Sequence, residues 1–214
     1  MNHMYFTNTQ NDRQIEKLMT LKPNFKPRGY GIIVCMTYEV VCAETFKELI
    51  KNALSNILIP AFSQRLNQYL KESEGNLMNF KGTSHENIFR QELAKRKNPT
   101  SPILCALYLL TADDRLWAKV KHHVEGNSVA FGSVQLGDIS TDAYALFMTA
   151  KDLCLGTRYI TVNDLADRQI IPQRLFGIIC EAMTLRRYGV AALNAVENES
   201  AKQQLNCKKD GVYQ

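Results

Sequence analysis

The sequence has no uninterrupted apolar run that approaches the roughly 18 residues of a membrane-spanning helix, so we expect no membrane segment. Residues 1–10 lack the basic and then apolar pattern of a secretory signal peptide. The six cysteines form no C-x-x-C pair and no zinc-knuckle spacing, and four of them lie in apolar runs. Reduced thiols in a cytoplasmic protein are the simplest interpretation of this pattern.

The sequence also lacks the short motifs of common catalytic and cofactor sites. It has no G-x-x-x-x-G-K-[ST] phosphate loop, no G-x-G-x-x-G dinucleotide motif and no G-x-S-x-G nucleophile elbow. Its histidines, His3, His85, His122 and His123, include no i, i+4 pair of the kind that binds zinc on a helix. We therefore predict no catalytic residue, no metal site and no cofactor, with an enzyme whose site lies between helices as an alternative.

The composition is that of an ordinary globular protein, but the charge is unevenly distributed. Hydrophobic residues make up 45% of the chain and charged residues 22%, with a formal net charge of +5. Lys and Arg outnumber Asp and Glu by 14 to 9 in residues 1–100, whereas residues 101–214 contain 12 of each. A surface for a polyanion is therefore expected in the N-terminal part.

Helical periodicity is clearest from residue 102 onward. Residues 103–110 are apolar on every side, which is typical of a central buried helix. Thr111 and Asp114 form a T-x-x-D signal for the start of the next helix. Ser140 then begins a helix that Gly156 ends.

The last long helix begins at Pro172 and ends at Gly189. A narrow polar stripe, which we expect to be exposed, follows this mostly apolar helix. The stripe comprises Arg174, Gly177, Glu181 and Thr184.

An amphipathic stripe also runs along residues 44–71. Pro60 interrupts it on the polar face, which predicts a kinked helix or two consecutive helices. The stripe either packs against the rest of its own domain or forms a partner surface, for example the seam of a homodimer. The candidate partner surface comprises Phe46, Leu49, Ile50, Leu54, Ile57 and Phe62.

These patterns together predict a mainly α fold, an irregular helical bundle with a short strand or hairpin near residues 32–42 and 128–137. A polar segment poor in apolar side chains, with one short helix at 86–97, separates two helical parts. The predicted organisation is an N-terminal helical segment at 1–71, a polar linker at 72–101, a C-terminal helical domain at 102–198 and a tail at 199–214.

Residues 161–188 have the outline of a helix-turn-helix. Thr161 and Asp164 predict a capping box for a short helix, and the long helix after Pro172 would present Gln173 and Arg174 to a major groove. A helical hairpin within an α-bundle has the same outline, and the apolar surface of the second helix favours that interpretation.

Basic residues cluster where a nucleic acid could contact them. The candidates are Lys22, Lys26, Arg28, Arg90, Lys95, Arg96, Lys97, Arg174, Arg186 and Arg187. Such runs are more often solvated surface, and arginines in the last turn of a helix also complement its dipole.

Five segments in the last half of the chain resemble an uncharacterised family of small proteins from conjugative elements and phages of Gram-positive bacteria. The resemblance implies a mobile-element context, and it supplies no activity and no catalytic residue. The segments are LLTADDRLW (109–117), DAYALF (142–147), AKDLCLGTRY (150–159), NDLADRQIIP (163–172) and LRRYG (185–189).

The sequence therefore predicts a non-enzymatic binding or regulatory protein that acts through protein or nucleic-acid contacts. The alternatives are a DNA-binding regulator that uses residues 161–188 and an enzyme with an unrecognised inter-helical site. Nucleic-acid binding predicts a steep dependence of affinity on salt, whereas recognition of a protein would survive high salt.

Overall fold

The computed structural model describes residues 5–6, 35–36, 38–73 and 78–210, with side chains described in 38–73 and 78–201. Within these residues the fold is mainly α, as the periodicity predicts, and the β-structure is limited to two short antiparallel ladders. Strand β1 (Tyr5–Phe6) pairs with β2 (Cys35–Met36), and β3 (Val124–Glu125) pairs with β4 (Ser128–Val129).

Ten α-helices make up most of the described residues. None of them is both long and apolar enough to span a bilayer. They are α1 (Tyr38–Ala43), α2 (Phe46–Leu54), α3 (Pro60–Glu72), α4 (Thr83–Ala94), α5 (Ser101–Leu110), α6 (Asp114–Val120), α7 (Thr141–Leu155), α8 (Val162–Ala166), α9 (Gln173–Tyr188) and α10 (Val190–Asp210).

Helices α5 and α9 form the centre of the molecule. Every residue of α5 from Ile103 to Leu110 is buried, because α4, α7 and α9 pack around it. Helix α9 in turn packs against α2, α5, α7 and α10. The prediction of a central helix that is apolar on all sides is therefore confirmed for α5.

The amphipathic segment forms two helices, one of the two forms that Pro60 predicts. A reciprocal capping box begins α2: the Glu48 amide donates to Thr45 Oγ1 over 3.2 Å, and the Thr45 amide donates to Glu48 Oε2 over 3.0 Å. Pro60 occupies the first turn of α3, where its missing N–H costs no helical hydrogen bond.

The stripe on α2 and α3 is part of the protein's own core, which corrects the partner-surface hypothesis. Its side chains face α9 and α10, so they are not available as the seam of a homodimer. Phe46, Leu49, Ile50, Leu54 and Phe62 are at most 3% exposed, and Ile57 packs against the same core.

Short strands occur near both predicted β-segments, with bounds that differ from the predicted ones. Among the described residues of 32–42, Cys35–Met36 is a strand, and α1 follows because Tyr38, Val41 and Cys42 share one helical face that packs against α10. The predicted hairpin at 128–137 lies instead at residues 124–129, and Phe131–Ser133 forms a 3-10 turn.

The polar segment at 72–101 contributes side chains to the core in addition to connecting the two helical parts. Helix α4 begins at Thr83, three residues before the predicted start, and buries His85 and Phe89 against α5. One continuous core therefore contains side chains from both sides of the predicted linker. Helix α10 also continues to Asp210, through most of the segment predicted as a tail.

The ends of α7 follow their sequence signals, whereas the start of α6 does not. Ser140 caps α7 by accepting from the Ala143 amide, and Gly156 ends the helix in the left-handed conformation. Thr111 does not begin α6, because its hydroxyl donates to a carbonyl in the last turn of α5. Asp113 takes the capping position instead, and its carboxylate accepts from the Leu116 amide at 2.9 Å.

The turn between α9 and α10 requires a glycine. Gly189 has φ of 59° and ψ of −137°, a conformation that side chains disfavour. A Cβ atom at this position would also lie 2.5 Å from Ser101 Oγ. The glycine therefore lets the chain pass closely over the start of α5.

Gly177 allows α3 to approach α9. The ring of Tyr69 lies on the glycine, so that an added Cβ atom would be 2.6 Å from Tyr69 Cε2. The same ring packs edge-on against Phe176, with centroids 6.3 Å apart. Part of the predicted polar stripe of α9 is thus the contact line for α3.

We predict that Gly177→Ala lowers the free energy of unfolding by about 1–2 kcal/mol, because the clash with Tyr69 outweighs the helical preference of alanine. Urea denaturation measures the change. In a Tyr69→Leu background the same substitution should be neutral or stabilising. An equal loss in both backgrounds would show that the ring contact is not the cause.

Candidate functional site

The turn of the predicted helix-turn-helix is filled by an arginine from another helix. Arg65 of α3 is 2% exposed, donates from Nε to Gln173 Oε1 over 3.0 Å and lies 4.4 Å above the Phe176 ring. Its guanidinium also donates to three backbone carbonyls, one in α8 and two in the connection from α8 to α9. These carbonyls belong to Leu165, Asp167 and Ile171.

The helix-turn-helix hypothesis requires α9 to enter a major groove, and this packing leaves little of the helix surface free to do so. Eleven of the 16 residues of α9 are buried, and Gln173 is already bonded to Arg65. Thr161 and Asp164 do form the predicted capping box, but α8 has only five residues. Residues 161–188 are therefore a helical hairpin inside the bundle, as the apolar surface of α9 indicates.

Glu181 lies at the centre of the protein, which corrects the expectation of an exposed polar stripe. The residue is 0% exposed, and Thr184 of the same stripe is also buried. Tyr69 of α3 donates to Glu181 Oε1 over 2.5 Å, and the side-chain amide of Asn79 donates to the same oxygen over 2.9 Å. The Tyr108 hydroxyl of α5 contacts the other carboxylate oxygen.

The arrangement around Tyr108 fits a protonated Glu181. The Tyr108 hydroxyl lies within hydrogen-bond distance of both Glu181 Oε2 and the Asn79 carbonyl oxygen, but a hydroxyl has one proton to donate. If Glu181 is protonated, it can donate to Tyr108, which then donates to Asn79. Burial raises the pKa of Glu181 to about 7, even though its hydrogen-bond donors oppose the increase.

His85 beside this cluster is a neutral core histidine. Its Nδ1 accepts from the Lys81 amide at 3.0 Å, and its Nε2 lies 2.7 Å from the Tyr108 carbonyl oxygen, so the proton belongs on Nε2. Burial lowers the pKa of His85 to about 4. Because Glu181 and His85 are both buried and hydrogen-bonded to neighbouring helices, they have a structural role in the core.

Exposed charge is concentrated at a groove between the ends of α4 and α6. The groove has a volume of about 400 Å³, and Trp117 lies at its base. Lys95 and Lys121 each directly follow the last residue of a helix, so both helices deliver a cation to this groove. The lining residues are Glu92, Lys95, Arg96, Trp117, Lys121, His122, Val124 and Gly126.

Arg96 builds the groove rather than presenting free charge. It donates from Nε to the Gly126 carbonyl over 2.7 Å and pairs with the Glu92 carboxylate at 3.3 Å. These bonds attach the end of α4 to the turn of the β3–β4 hairpin. The side chain of Arg96 is consequently only 9% exposed.

The remaining lysines carry the positive surface of the groove. Lys95 pairs with Glu92 at 2.5 Å, yet its side chain is 65% exposed. Lys97 and Lys121 are exposed, and no carboxylate within the described segments lies within 4.0 Å of either ammonium group. Cations therefore outnumber carboxylates in this part of the surface.

A second concavity of similar volume has compensated charge. It lies between the starts of α4 and α6, where Lys81 and Asp113 are 3.7 Å apart and Ser84 donates to Asp114 over 2.8 Å. Asp113 also caps α6, a structural task that accounts for its position. The groove at Trp117 is therefore the stronger candidate for a charged ligand.

In comparisons with known proteins, the chain matches no protein family, no curated protein and no solved structure. A site can therefore be argued only from its geometry. Among the residues that the structure describes, no group of three or more His, Cys, Asp or Glu side chains is arranged to hold a metal ion.

Only some of the basic residues predicted to bind nucleic acid lie together in the structure. Lys95 and Arg96 line the groove, and Lys97 is exposed next to them in the chain. Lys121 and His122 also line the groove and are absent from the basic residues that the sequence suggests. No local motif marks the additional pair, because the fold rather than the local sequence places both helix ends at one groove. Lys22, Lys26 and Arg28 lie outside the described residues.

The other candidates have structural partners. Arg90 pairs with Glu86 one turn away at 2.8 Å. Arg186 donates to the Leu153 carbonyl over 2.8 Å, and Arg187 donates to the Ala53 carbonyl over 3.3 Å. These two arginines thus bind carbonyls in the last turns of α7 and α2. Arg174 is exposed in the first turn of α9.

We predict that Glu181→Gln changes the pH dependence of stability. The folded-state pKa of about 7 lies above the usual 4.5, so folded wild-type protein binds a proton that the unfolded chain lacks between these pH values. Wild-type stability should therefore rise relative to the variant as the pH falls from 8 to 5, by about 3 kcal/mol at most.

Denaturation at several pH values measures this difference, and taking wild type minus variant removes the opposite contribution of His85. Glu197→Gln, at an exposed carboxylate, is the matched control and should leave the pH profile unchanged. Parallel profiles for wild type and Glu181→Gln would contradict the assignment.

Proposed function

We propose that the protein is a non-enzymatic nucleic-acid-binding protein that holds backbone phosphates at the groove between α4 and α6. The observation that carries the proposal is that Lys95 and Lys121 line a concave surface with Trp117 at its base, with the exposed Lys97 two residues after Lys95. Phosphate contacts of this kind supply affinity without reading the base sequence. We therefore expect little sequence preference.

Three features of the groove support a polyanion over a small neutral ligand. Glu92 is the only carboxylate among the described residues that line it, and it is already paired with Lys95 and Arg96. The Arg96 bonds to Gly126 fix the shape of one wall. The ends of both helices keep their lysines at the rim, so the cations need little rearrangement to meet a phosphate.

The wider biological role is part of the same proposal. The resemblance to proteins of conjugative elements and phages favours a cytoplasmic regulatory protein of a mobile element, a setting in which contacts with nucleic acid are expected. This context supports the proposal of nucleic-acid binding, but it does not identify any residue of the site.

We predict that the protein binds a random-sequence duplex with a steep dependence on salt, and that the triple variant Lys95→Glu, Lys97→Glu and Lys121→Glu loses this binding. Each lost phosphate contact should reduce the slope of log affinity against log salt by about 1. Fluorescence anisotropy of a labelled duplex across a salt series measures both quantities. Arg96 is left intact because it stabilises the groove.

A matched control has the same net charge as the groove variant. It carries Lys51→Glu, Lys71→Glu and Arg158→Glu at exposed positions away from the groove lining. The control should keep most of the affinity and salt slope. Equal losses in both variants would show that only the overall charge matters, and no binding by wild type at low salt would leave recognition of a protein as the working account.

A further inference from the structure

Two cysteine thiols from different helices meet at one backbone oxygen. The Sγ atoms of Cys105 in α5 and Cys154 in α7 lie 3.1 and 3.2 Å from the carbonyl oxygen of Pro102. The two sulfurs are therefore at most about 6.3 Å apart, which is the sum of these distances. Close packing between α5 and α7 creates this pair, and no spacing motif in the sequence marks it.

The two thiols have different accessibility. Cys105 is completely buried, whereas Cys154 is partly exposed in the last turn of α7. Arg186 lies near the same turn, because its Nε donates to the carbonyl of Leu153, the residue before Cys154. A small oxidant can therefore reach Cys154 first, next to a positive charge.

The pKa shifts of the two thiols agree with Cys154 being the first to react. A hydrogen bond from Cys105 lowers the pKa of the Cys154 thiol, and the Arg186 charge lowers it further, against the opposing effect of burial. Burial raises the pKa of Cys105 well above its usual range and keeps it a protonated donor. The pKa of the Cys42 thiol and that of the Cys180 thiol are also raised by burial.

We propose that Cys105 and Cys154 are an oxidation site at which a peroxide converts the two thiols into an intramolecular disulfide between α5 and α7. This inference does not depend on the function of the basic groove. Transient disulfides of this kind are the form in which cytosolic proteins respond to oxidants.

The reaction proceeds in two balanced steps. The Cys154 thiolate attacks one oxygen of hydrogen peroxide, the O–O bond breaks, and the second oxygen takes up a proton and leaves as water. The Cys105 sulfur then attacks the Cys154 sulfenic acid, the S–O bond breaks, and the leaving hydroxide takes the Cys105 proton to form a second water. Two thiols are oxidised to one disulfide while one peroxide is reduced to two waters.

The test uses the intact wild-type protein. Treatment with a small excess of hydrogen peroxide, followed by non-reducing tryptic digestion and mass spectrometry, should yield a peptide pair joined through Cys105 and Cys154. Dithiothreitol should restore both thiols. In separate alkylation with iodoacetamide at neutral pH, Cys154 should react at least about tenfold faster than Cys42, which has the opposite pKa change.

Variants assign the two roles. Cys105→Ser should leave Cys154 as a sulfenic acid that dimedone traps, whereas Cys154→Ser should abolish the disulfide. Cys42→Ser is the control and should oxidise as wild type does. The proposal is overturned if wild-type protein forms no Cys105–Cys154 disulfide, if either residue pairs with another cysteine instead, or if Cys154 alkylates no faster than Cys42.

Discussion

The enclosed carboxylate of Glu181 is the constraint on which the arrangement of the helices depends. An acidic group without exposure to water must be hydrogen-bonded or neutral, and here hydroxyls from α3 and α5 and the backbone at Asn79 converge on it. The geometry fixes how closely α3 approaches α9, and Gly177 makes that approach sterically allowed. Arg65 of α3 also holds this interface, because its guanidinium donates to carbonyls of α8 and of the connection to α9. The packing of α3 and α5 on α9 thus rests on polar contacts inside an apolar core.

The sequence predicts what short-range chemistry determines. Ser140 and Gly156 mark the ends of a helix correctly because a cap bonds to groups within a few residues of itself. The inward direction of Glu181 could not be predicted in this way, since its partner Tyr69 is 112 residues away in the chain. The pattern of residues 32–42 predicts a strand where α1 begins, because a short apolar segment has no distinctive period and packing on α10 decides its conformation.

The candidate groove shows the same division between local and long-range information. The run Lys95, Arg96 and Lys97 is visible in the sequence, but its meaning depends on which surface faces it. Only the fold brings Lys121 alongside the run and assigns Arg96 to the wall, where Gly126 and Glu92 hold it. The three basic residues of the run look equivalent in the sequence, but Arg96 has a structural role and the two lysines face solvent.

The central functional claim is that nucleic acid binds over Trp117, and the protein's single tryptophan provides a direct measurement. Titration of wild-type protein with an unlabelled duplex at low salt, followed by tryptophan emission, reports on the base of the groove alone. The account predicts a saturable change in emission that added salt reverses, with the same midpoint as the binding curve. Duplex binding with unchanged tryptophan emission would place the nucleic acid on another surface and contradict it.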